Sequence, residues 1–99
     1  MSVLMNFAIF PTSKGESVSP FVARVIRLVD TLGYNYQLTA MGTIVETPTI
    51  EQSLEVIKKA YAELEPDCER VYASVNLDIR KGSTGRLQSK VASVEQKLK

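Results

Sequence analysis

The sequence predicts an α+β fold in which two helices cover one face of an antiparallel sheet. Four separate stretches carry apolar residues at every second position, as strands with a buried face do. Two stretches with helical spacing lie between them, and each begins at a residue type that caps helices. Because glycine, proline and polar loops separate these segments, the order is β-α-β-β-α-β, followed by one more helix.

The first strand and helix are predicted from alternation and from helix signals. Residues 3–10 are apolar on one face and mostly apolar on the other, which is typical of a central strand, and Pro11 ends it. The first helix is expected over residues 20–32, because Ser19 before a proline is a common helix start and Gly33 is a common stop. Its predicted buried stripe consists of Phe21, Val22, Val25, Ile26, Val29 and Leu32.

A hairpin and a second helix follow. Residues 34–40 alternate again, and the short join to the strand 43–47 predicts a hairpin. Thr49 and Gln52 form a Thr-x-x-Gln capping box at the start of a helix that ends before Pro66. Its predicted buried stripe consists of Ile50, Leu54, Ile57, Tyr61 and Leu64.

The last strand and helix complete the order. Residues 70–80 place five apolar residues on one face and polar ones on the other, and after the loop 81–85 an amphipathic helix carries Leu87, Val91, Val94 and Leu98. Two right-handed crossovers in this order put the first and third strands at the centre of the sheet. We therefore expect a ferredoxin-like sandwich with an extra C-terminal helix, in one domain over residues 1–99.

The sheet face away from the two helices is predicted to meet a partner. Leu4, Ala8, Phe10 and Tyr72 fall on that face, which makes it too apolar for bulk water. A sheet-to-sheet or edge-to-edge homo-oligomer is the expected solution.

Composition narrows the function classes. Twelve Lys and Arg balance eleven Asp and Glu, and the basic residues are dispersed, so no nucleic acid or membrane partner is expected. The apolar start has no basic region before it and no cleavage site after it, which predicts a cytoplasmic protein. The chain has no histidine, and its single Cys68 is expected to be a surface or half-buried bystander. No nucleotide-binding or nucleophile motif is present, so we expect no cofactor and no metal.

The segment 41–46, Met-Gly-Thr-Ile-Val-Glu, is the most informative for function. If Ile44 faces the core, the strand period puts Glu46 on the same inward face, where an unpaired carboxylate is strongly disfavoured and a cationic or amino-bearing ligand would pair with it. If Val45 faces the core instead, Glu46 is ordinary surface. Periodicity does not choose between the two readings.

Other polar candidates have a structural and a functional reading. Ser17 and Ser19 lie where the free N–H groups of a helix start gather, so they can cap the helix or contact a ligand. Asn6 interrupts a central strand and can bond to Asn76 or Asp78 on an adjacent one. We also expect Asp78 to pair with Arg80, either directly or across an interface. Tyr36 could stack on an aromatic ring, and Tyr61 is expected in the core.

Three motifs resemble those of the small thiamine-binding (YkoF-like) family. They are Ser-Val-Ser at residues 17–19, Gly-Thr-x-x-Glu at 42–46 and Asp-x-Arg at 78–80, in an order that spans nearly the whole chain. The resemblance implies a ferredoxin-like protomer in a dimer of dimers that binds thiamine or its hydroxymethylpyrimidine moiety without transforming it. The pocket residues that it implies are Ser17, Ser19, Thr43 and Glu46, with Asn6 and Asp78 less directly supported.

The resemblance also favours an inward Glu46, and it has two departures. Thr47 stands where many relatives have glycine, and Phe21 where many have tyrosine. A non-catalytic binding protein for thiamine or a related pyrimidine is the leading hypothesis. An oligomeric regulatory module without such a ligand is the second, and a small oligomeric enzyme is the third.

Overall fold

The computed structural model describes residues 1–82 and 84–98; Ser83, in the predicted loop before the last helix, and Lys99 lie outside the described residues. Every predicted element is present. The strands are β1 (Ser2–Pro11), β2 (Asn35–Leu38), β3 (Thr43–Thr47) and β4 (Val71–Arg80). The helices are α1 (Ser19–Thr31), α2 (Ile50–Leu64) and α3 (Arg86–Lys97), with one short 3₁₀ turn at Glu65–Asp67. In these described parts of the chain, no helix has the length and apolar character needed to span a bilayer.

The four strands form one antiparallel sheet in the order β2-β3-β1-β4, so the prediction of central β1 and β3 is confirmed. α1 and α2 pack on one face, and the N-terminal end of α3 packs on the other near the start of β1. Residues 2–5 are consequently buried on both faces. This is the ferredoxin-like α+β sandwich that the element order predicts.

The core lies between the sheet and the two helices, and it includes Cys68. Its members are Met5, Phe7, Ile9, Val25, Val29, Val45, Val56, Ala60, Leu64 and Cys68. The Cys68 side chain is only 8% exposed. The prediction of a surface or half-buried thiol is therefore wrong, because a free cysteine packs as a small apolar residue where the chain returns to the core after α2.

α2 buries a different stripe from the predicted one. Its buried residues are Ser53, Val56, Ala60 and Leu64, whereas Leu54 and Tyr61 are 52% and 44% exposed. The prediction of a core Tyr61 is thus wrong. The small Ser53 and Ala60 let the helix approach its neighbours closely, and the Ser53 hydroxyl shares a 2.6 Å hydrogen bond with the buried Thr47. A buried face predicted from large apolar residues alone does not include this one, because the buried face of α2 contains the polar Ser53.

Apolar side chains remain exposed on β4 and on α3. Val75, Leu77 and Ile79 face the helix side of the sheet but are 37–46% exposed, because β4 is an edge strand. α3 buries only Arg86 and Leu87. Its other apolar residues Val91, Val94 and Leu98 are 47–79% exposed, so this protomer alone does not cover the stripe.

Candidate functional site

A groove runs between α1 and the hairpin that joins β2 to β3. It consists of an outer lobe of about 620 Å³ and an inner lobe of about 230 Å³, which share the side chains of Val18, Val22, Ile26 and Leu38. The outer lobe extends along α1 to Asp30, and the inner lobe reaches the far end of β1 and residues 39–43. Concave, mainly apolar spaces of this size with a few polar groups are typical small-molecule sites. We call this feature the α1 groove.

Thr43 supplies a free hydroxyl to the inner lobe. It is 4% exposed on the helix side of β3, and none of the described residues forms a hydrogen bond with its hydroxyl. Thr47, on the same face of the same strand, contrasts with it. The Thr47 hydroxyl donates to the Thr49 carbonyl at 2.8 Å and pairs with Ser53. Of these two threonine hydroxyls, that of Thr43 has no described partner and is therefore available to a ligand.

The hairpin turn that forms the mouth of the inner lobe is held by Thr39. The Thr39 hydroxyl accepts from the N–H groups of Met41 and Gly42 and donates to the Gly42 carbonyl. The Thr39 N–H donates to the same carbonyl at 2.8 Å. These bonds fix the turn while the Met41 side chain, 87% exposed, stands at its tip.

Gly42 lies against β1 so closely that a side chain does not fit. A Cβ atom there would come within 2.9 Å of both the Asn6 Oδ1 atom and the Phe7 carbonyl oxygen. Such contacts are far inside van der Waals distance, so this position requires glycine for space. The close approach sets the position of Thr43, the next residue.

Replacing Gly42 with alanine is therefore expected to lower the free energy of unfolding by about 1 kcal/mol. Urea denaturation measures the change. The Asn6→Ala background is the control, because it removes the side-chain contact but leaves the Phe7 carbonyl in place. A smaller loss in that background is expected, and a Gly42→Ala protein as stable as the wild type would contradict the packing argument.

The start of α1 differs from the predicted capping arrangement. The N-cap residue is Val18 and makes no side-chain cap, and its carbonyl accepts from the N–H groups of Phe21 and Val22 at 3.0 Å. The prediction that Ser19 caps the helix is wrong, because Ser19 is already its first residue. Ser19 instead lines the outer lobe, while Ser17 lies exposed in the preceding loop.

The far end of the outer lobe carries a carboxylate and a phenol. The Tyr36 hydroxyl donates to the Asp30 Oδ1 atom at 2.9 Å, joining the edge strand β2 to the last turn of α1. This bond to an ionised carboxylate raises the pKa of Tyr36. Asp30 is not among the site residues predicted from the sequence. The one sequence feature that could have pointed to it is an acidic residue at the rim of an otherwise apolar helix face.

Glu46 lies on the sheet face opposite α1 and α2. Val45 is the fully buried residue on the helix side, so the prediction of an inward Glu46 beside Ile44 is wrong. Glu46 is not ordinary surface either. Its Oε2 atom accepts from the Ser2 hydroxyl at 2.7 Å and from the Arg86 N–H at 2.9 Å, and its Oε1 atom accepts from the Leu87 N–H at 3.2 Å.

These bonds make Glu46 the cap of α3. The N-cap residue Gly85 has no side chain to offer, so a carboxylate from β3 satisfies the first N–H groups of the helix. Partial burial alone would raise the pKa of Glu46, but the hydrogen bonds from Ser2, Arg86 and Leu87 outweigh it and hold the pKa below its ordinary value. Both carboxylate oxygens are thus already occupied within the protomer.

Asp78 also helps to hold α3 against the sheet. The buried Arg86 guanidinium pairs with the Asp78 carboxylate at 3.0 Å and donates to its carbonyl at 2.6 Å, and Lys90 also pairs with that carboxylate. The predicted pairing of Asp78 with Arg80 is replaced by these contacts. Hydrogen bonds from Lys90 and Arg86 lower the pKa of Asp78.

Asn6 lies exposed on the same open face, opposite Asn76 in the register of β1 and β4. Neither Asn76 nor Asp78 forms a hydrogen bond with its side chain among the described contacts, so the predicted bond is not present. Its amide oxygen instead lies beside Gly42. Of the six predicted ligand contacts, the structure brings Ser19 and Thr43 together in the α1 groove and places Glu46 and Asp78 at α3.

The sequence of this chain matches a known protein family and several of its members over most of its length. Residues 5–95 match the family described as thiamine-binding protein. A UPF0045 protein of Mycobacterium tuberculosis is 36% identical over 98 residues, covering 99% of this chain and 96% of the relative. A UPF0045 protein of Methanothermobacter thermautotrophicus is 31% identical, with 83% and 84% of the two chains covered.

Solved structures give the same result. The crystal structure of a hypothetical protein from Methanocaldococcus jannaschii superposes with a TM-score of 0.85 at 27% identity, over 96% of this chain and 97% of that one. A Thermotoga maritima protein, assigned provisionally to thiamine biosynthesis or salvage, has the same fold with a TM-score of 0.82 at 19% identity, over 95% and 99% of the two chains. With a match that covers nearly all of its length, this chain belongs to the thiamine-binding protein family.

Proposed function

We propose that this protein binds thiamine or its hydroxymethylpyrimidine moiety in the α1 groove, without transforming it, for thiamine supply, salvage or sensing in the cytoplasm. The observation that carries the proposal is the Thr43 hydroxyl, which has no described partner and lines an otherwise mainly apolar lobe. Membership of the thiamine-binding family supports the ligand class.

The inner lobe suits an aminopyrimidine ring. Its apolar walls, which include Phe7, Val22 and Ile26, can pack against the two faces of a flat ring. The Thr43 hydroxyl can both donate to a ring nitrogen and accept from the exocyclic amine. A binding role needs no acid, base or nucleophile, which agrees with a chain that has no histidine and whose one cysteine is in the core.

Calorimetric titration of thiamine, hydroxymethylpyrimidine and thiamine phosphates into the purified protein tests the proposal. We expect saturable binding near one ligand per protomer. If none of the ligands gives heat or a thermal shift, the proposal fails and the oligomeric interaction module becomes the better account.

Replacing Thr43 with valine is expected to weaken binding of the pyrimidine about tenfold, because the change removes the hydroxyl and keeps the shape. Thr31→Val is the matched control. Thr31 lies on α1 outside the groove, and the one described hydrogen bond of its hydroxyl goes to the Leu28 carbonyl. Equal affinities for the two variants would argue against the inner lobe as the pyrimidine site.

We also propose that the protomers form a dimer through the free edge of β4, and that two dimers associate. β4 is ten residues long and, among the described strands, pairs with β1 alone, so its other edge has no described partner strand. The exposed parts of Val75, Leu77 and Ile79 lie along it. Pairing two such edges would satisfy the backbone and cover these side chains.

Leu77→Lys is expected to shift the protein towards monomer, because the pairing would bring two new charges together at the dimer contact. Light scattering after size-exclusion chromatography measures the mass. Val94→Lys, on the exposed stripe of α3, is the comparison. If only Val94→Lys dissociates the protein, the contact runs through α3 and the proposed β4 contact is wrong.

A further inference from the structure

We propose that Asp30 and Tyr36, at the far end of the outer lobe, recognise a positively charged aromatic ring, so that the protein selects thiamine over the neutral hydroxymethylpyrimidine. This inference rests on the proposed function, since it assigns a role to the second lobe of the same groove. It names the residues that determine specificity, and neither of them is supplied by the sequence motifs.

Asp30 provides a negative charge that takes part in no described salt bridge. Among the described residues the ion pairs are Arg24 with Asp67 and Asp78 with both Arg86 and Lys90, and Asp30 takes part in none of them. Its Oδ1 atom accepts from Tyr36, while no described side chain donates to its Oδ2 atom. A cationic ligand in the outer lobe would therefore meet a fixed carboxylate with one oxygen still free.

Tyr36 provides the aromatic surface. Its hydroxyl is tied to α1 through Asp30, so the ring is held between the edge strand β2 and the helix and forms part of the lining of the outer lobe. A ring held in this way can attract a cation over its face. The carboxylate and the ring thus act on the same ligand charge.

The shape of the groove matches a ligand with two joined rings. The inner and outer lobes meet at Val22, Ile26 and Leu38, which contribute to both. Thiamine has a neutral aminopyrimidine and a cationic thiazolium joined by one methylene. With the pyrimidine in the inner lobe beside Thr43, the methylene would pass these shared residues and the thiazolium would enter the lobe that contains Asp30.

Among the described residues, Arg27 is the one cationic side chain that lines the outer lobe. It lies one helical turn before Asp30 on α1, is exposed, and also borders a separate surface cleft with Arg24 and Glu63. Because Arg27 lines the same lobe as Asp30, a charge control has to lie outside the groove, and the exposed Glu55 on α2 provides one.

The experiment compares thiamine with hydroxymethylpyrimidine by calorimetry on four proteins: wild type, Asp30→Asn, Tyr36→Phe and Glu55→Gln. Asp30→Asn should weaken thiamine binding about tenfold and leave hydroxymethylpyrimidine binding within twofold of wild type. Tyr36→Phe keeps the ring but releases the carboxylate, so a loss of about threefold for thiamine is expected. Glu55→Gln removes an exposed carboxylate on α2, outside both lobes of the groove, and should bind both ligands as the wild type does.

A measurement without substitutions supports the same comparison. In the wild type, raising sodium chloride from low to high concentration should weaken thiamine binding more than hydroxymethylpyrimidine binding. This readout applies even if Asp30→Asn folds poorly, which circular dichroism would reveal.

The possible failures are distinguishable. If the wild type binds both ligands but Asp30→Asn and the salt series affect them equally, Asp30 does not read the ligand charge, and the inference is overturned while the proposed function stands. If the wild type binds neither ligand, the proposed function itself fails.

Discussion

Replacing Arg86 with methionine is expected to lower the free energy of unfolding by about 2 to 4 kcal/mol. Arg86 is 2% exposed, and its guanidinium donates to the Ser2 carbonyl at 2.8 Å, to the Asp78 carbonyl at 2.6 Å and to the Ser2 hydroxyl at 3.1 Å. Methionine preserves most of the stem but donates no hydrogen bond, so these acceptors lose their partners. The ion pair with Asp78 adds little, because that carboxylate is 51% exposed.

Urea denaturation of Arg86→Met and Arg86→Lys measures this contribution. Lysine keeps the charge but cannot reproduce the fork of donors, so we expect Arg86→Lys to lie between Arg86→Met and the wild type. Lys90→Met is the control, because Lys90 contacts the same Asp78 carboxylate from an exposed position. Equal stabilities of Arg86→Met and Lys90→Met would contradict a buried anchoring role for Arg86.

Replacing Glu46 with glutamine is expected to lower stability by about 2 kcal/mol at neutral pH and to loosen the start of α3. The carboxylate accepts three hydrogen bonds, and a glutamine amide would turn an NH₂ group towards at least one of the same donors. Amide hydrogen exchange at Arg86 and Leu87 should become faster. Glu55→Gln, on the exposed side of α2, is the control and should leave both measurements unchanged.

The effect of Glu46 should also depend on pH. Because its folded-state pKa lies below the ordinary value of 4.5, the stabilisation is complete above that value and disappears as the pH falls through the folded pKa. Asp67 and Asp78 have lowered pKa values too, so the wild type loses stability in acid through several groups. The difference between wild type and Glu46→Gln isolates Glu46 and should shrink below about pH 4.

The same variant separates two roles for Glu46. If the α1 groove holds the ligand, Glu46→Gln keeps its affinity for thiamine within about twofold, since the carboxylate lies on the other face of the sheet. A large loss of affinity without a change in the exchange of the Arg86 and Leu87 amides would restore Glu46 as a ligand contact.

The order and type of the elements were predictable because local signals are strong in this chain. β1 and β4 alternate over ten residues, and the Thr-x-x-Gln box at Thr49 is present, with Thr49 accepting from the Gln52 N–H. The handedness of crossovers then left one arrangement with β1 and β3 at the centre. None of these steps needs knowledge of which distant residues touch.

The sequence by itself thus determined the fold class, the central strands and the segments from which a site could be built. Only the tertiary structure decided which face Glu46 occupies, because a two-residue period is satisfied equally by Val45 or Ile44 as the inward residue. The tertiary structure also decided that the Glu46 carboxylate accepts from the N–H groups of Arg86 and Leu87, and that the Asp30 carboxylate accepts from the Tyr36 hydroxyl at the end of the α1 groove. The partner of a polar group depends on how elements pack in space, and local periodicity carries no information about that packing.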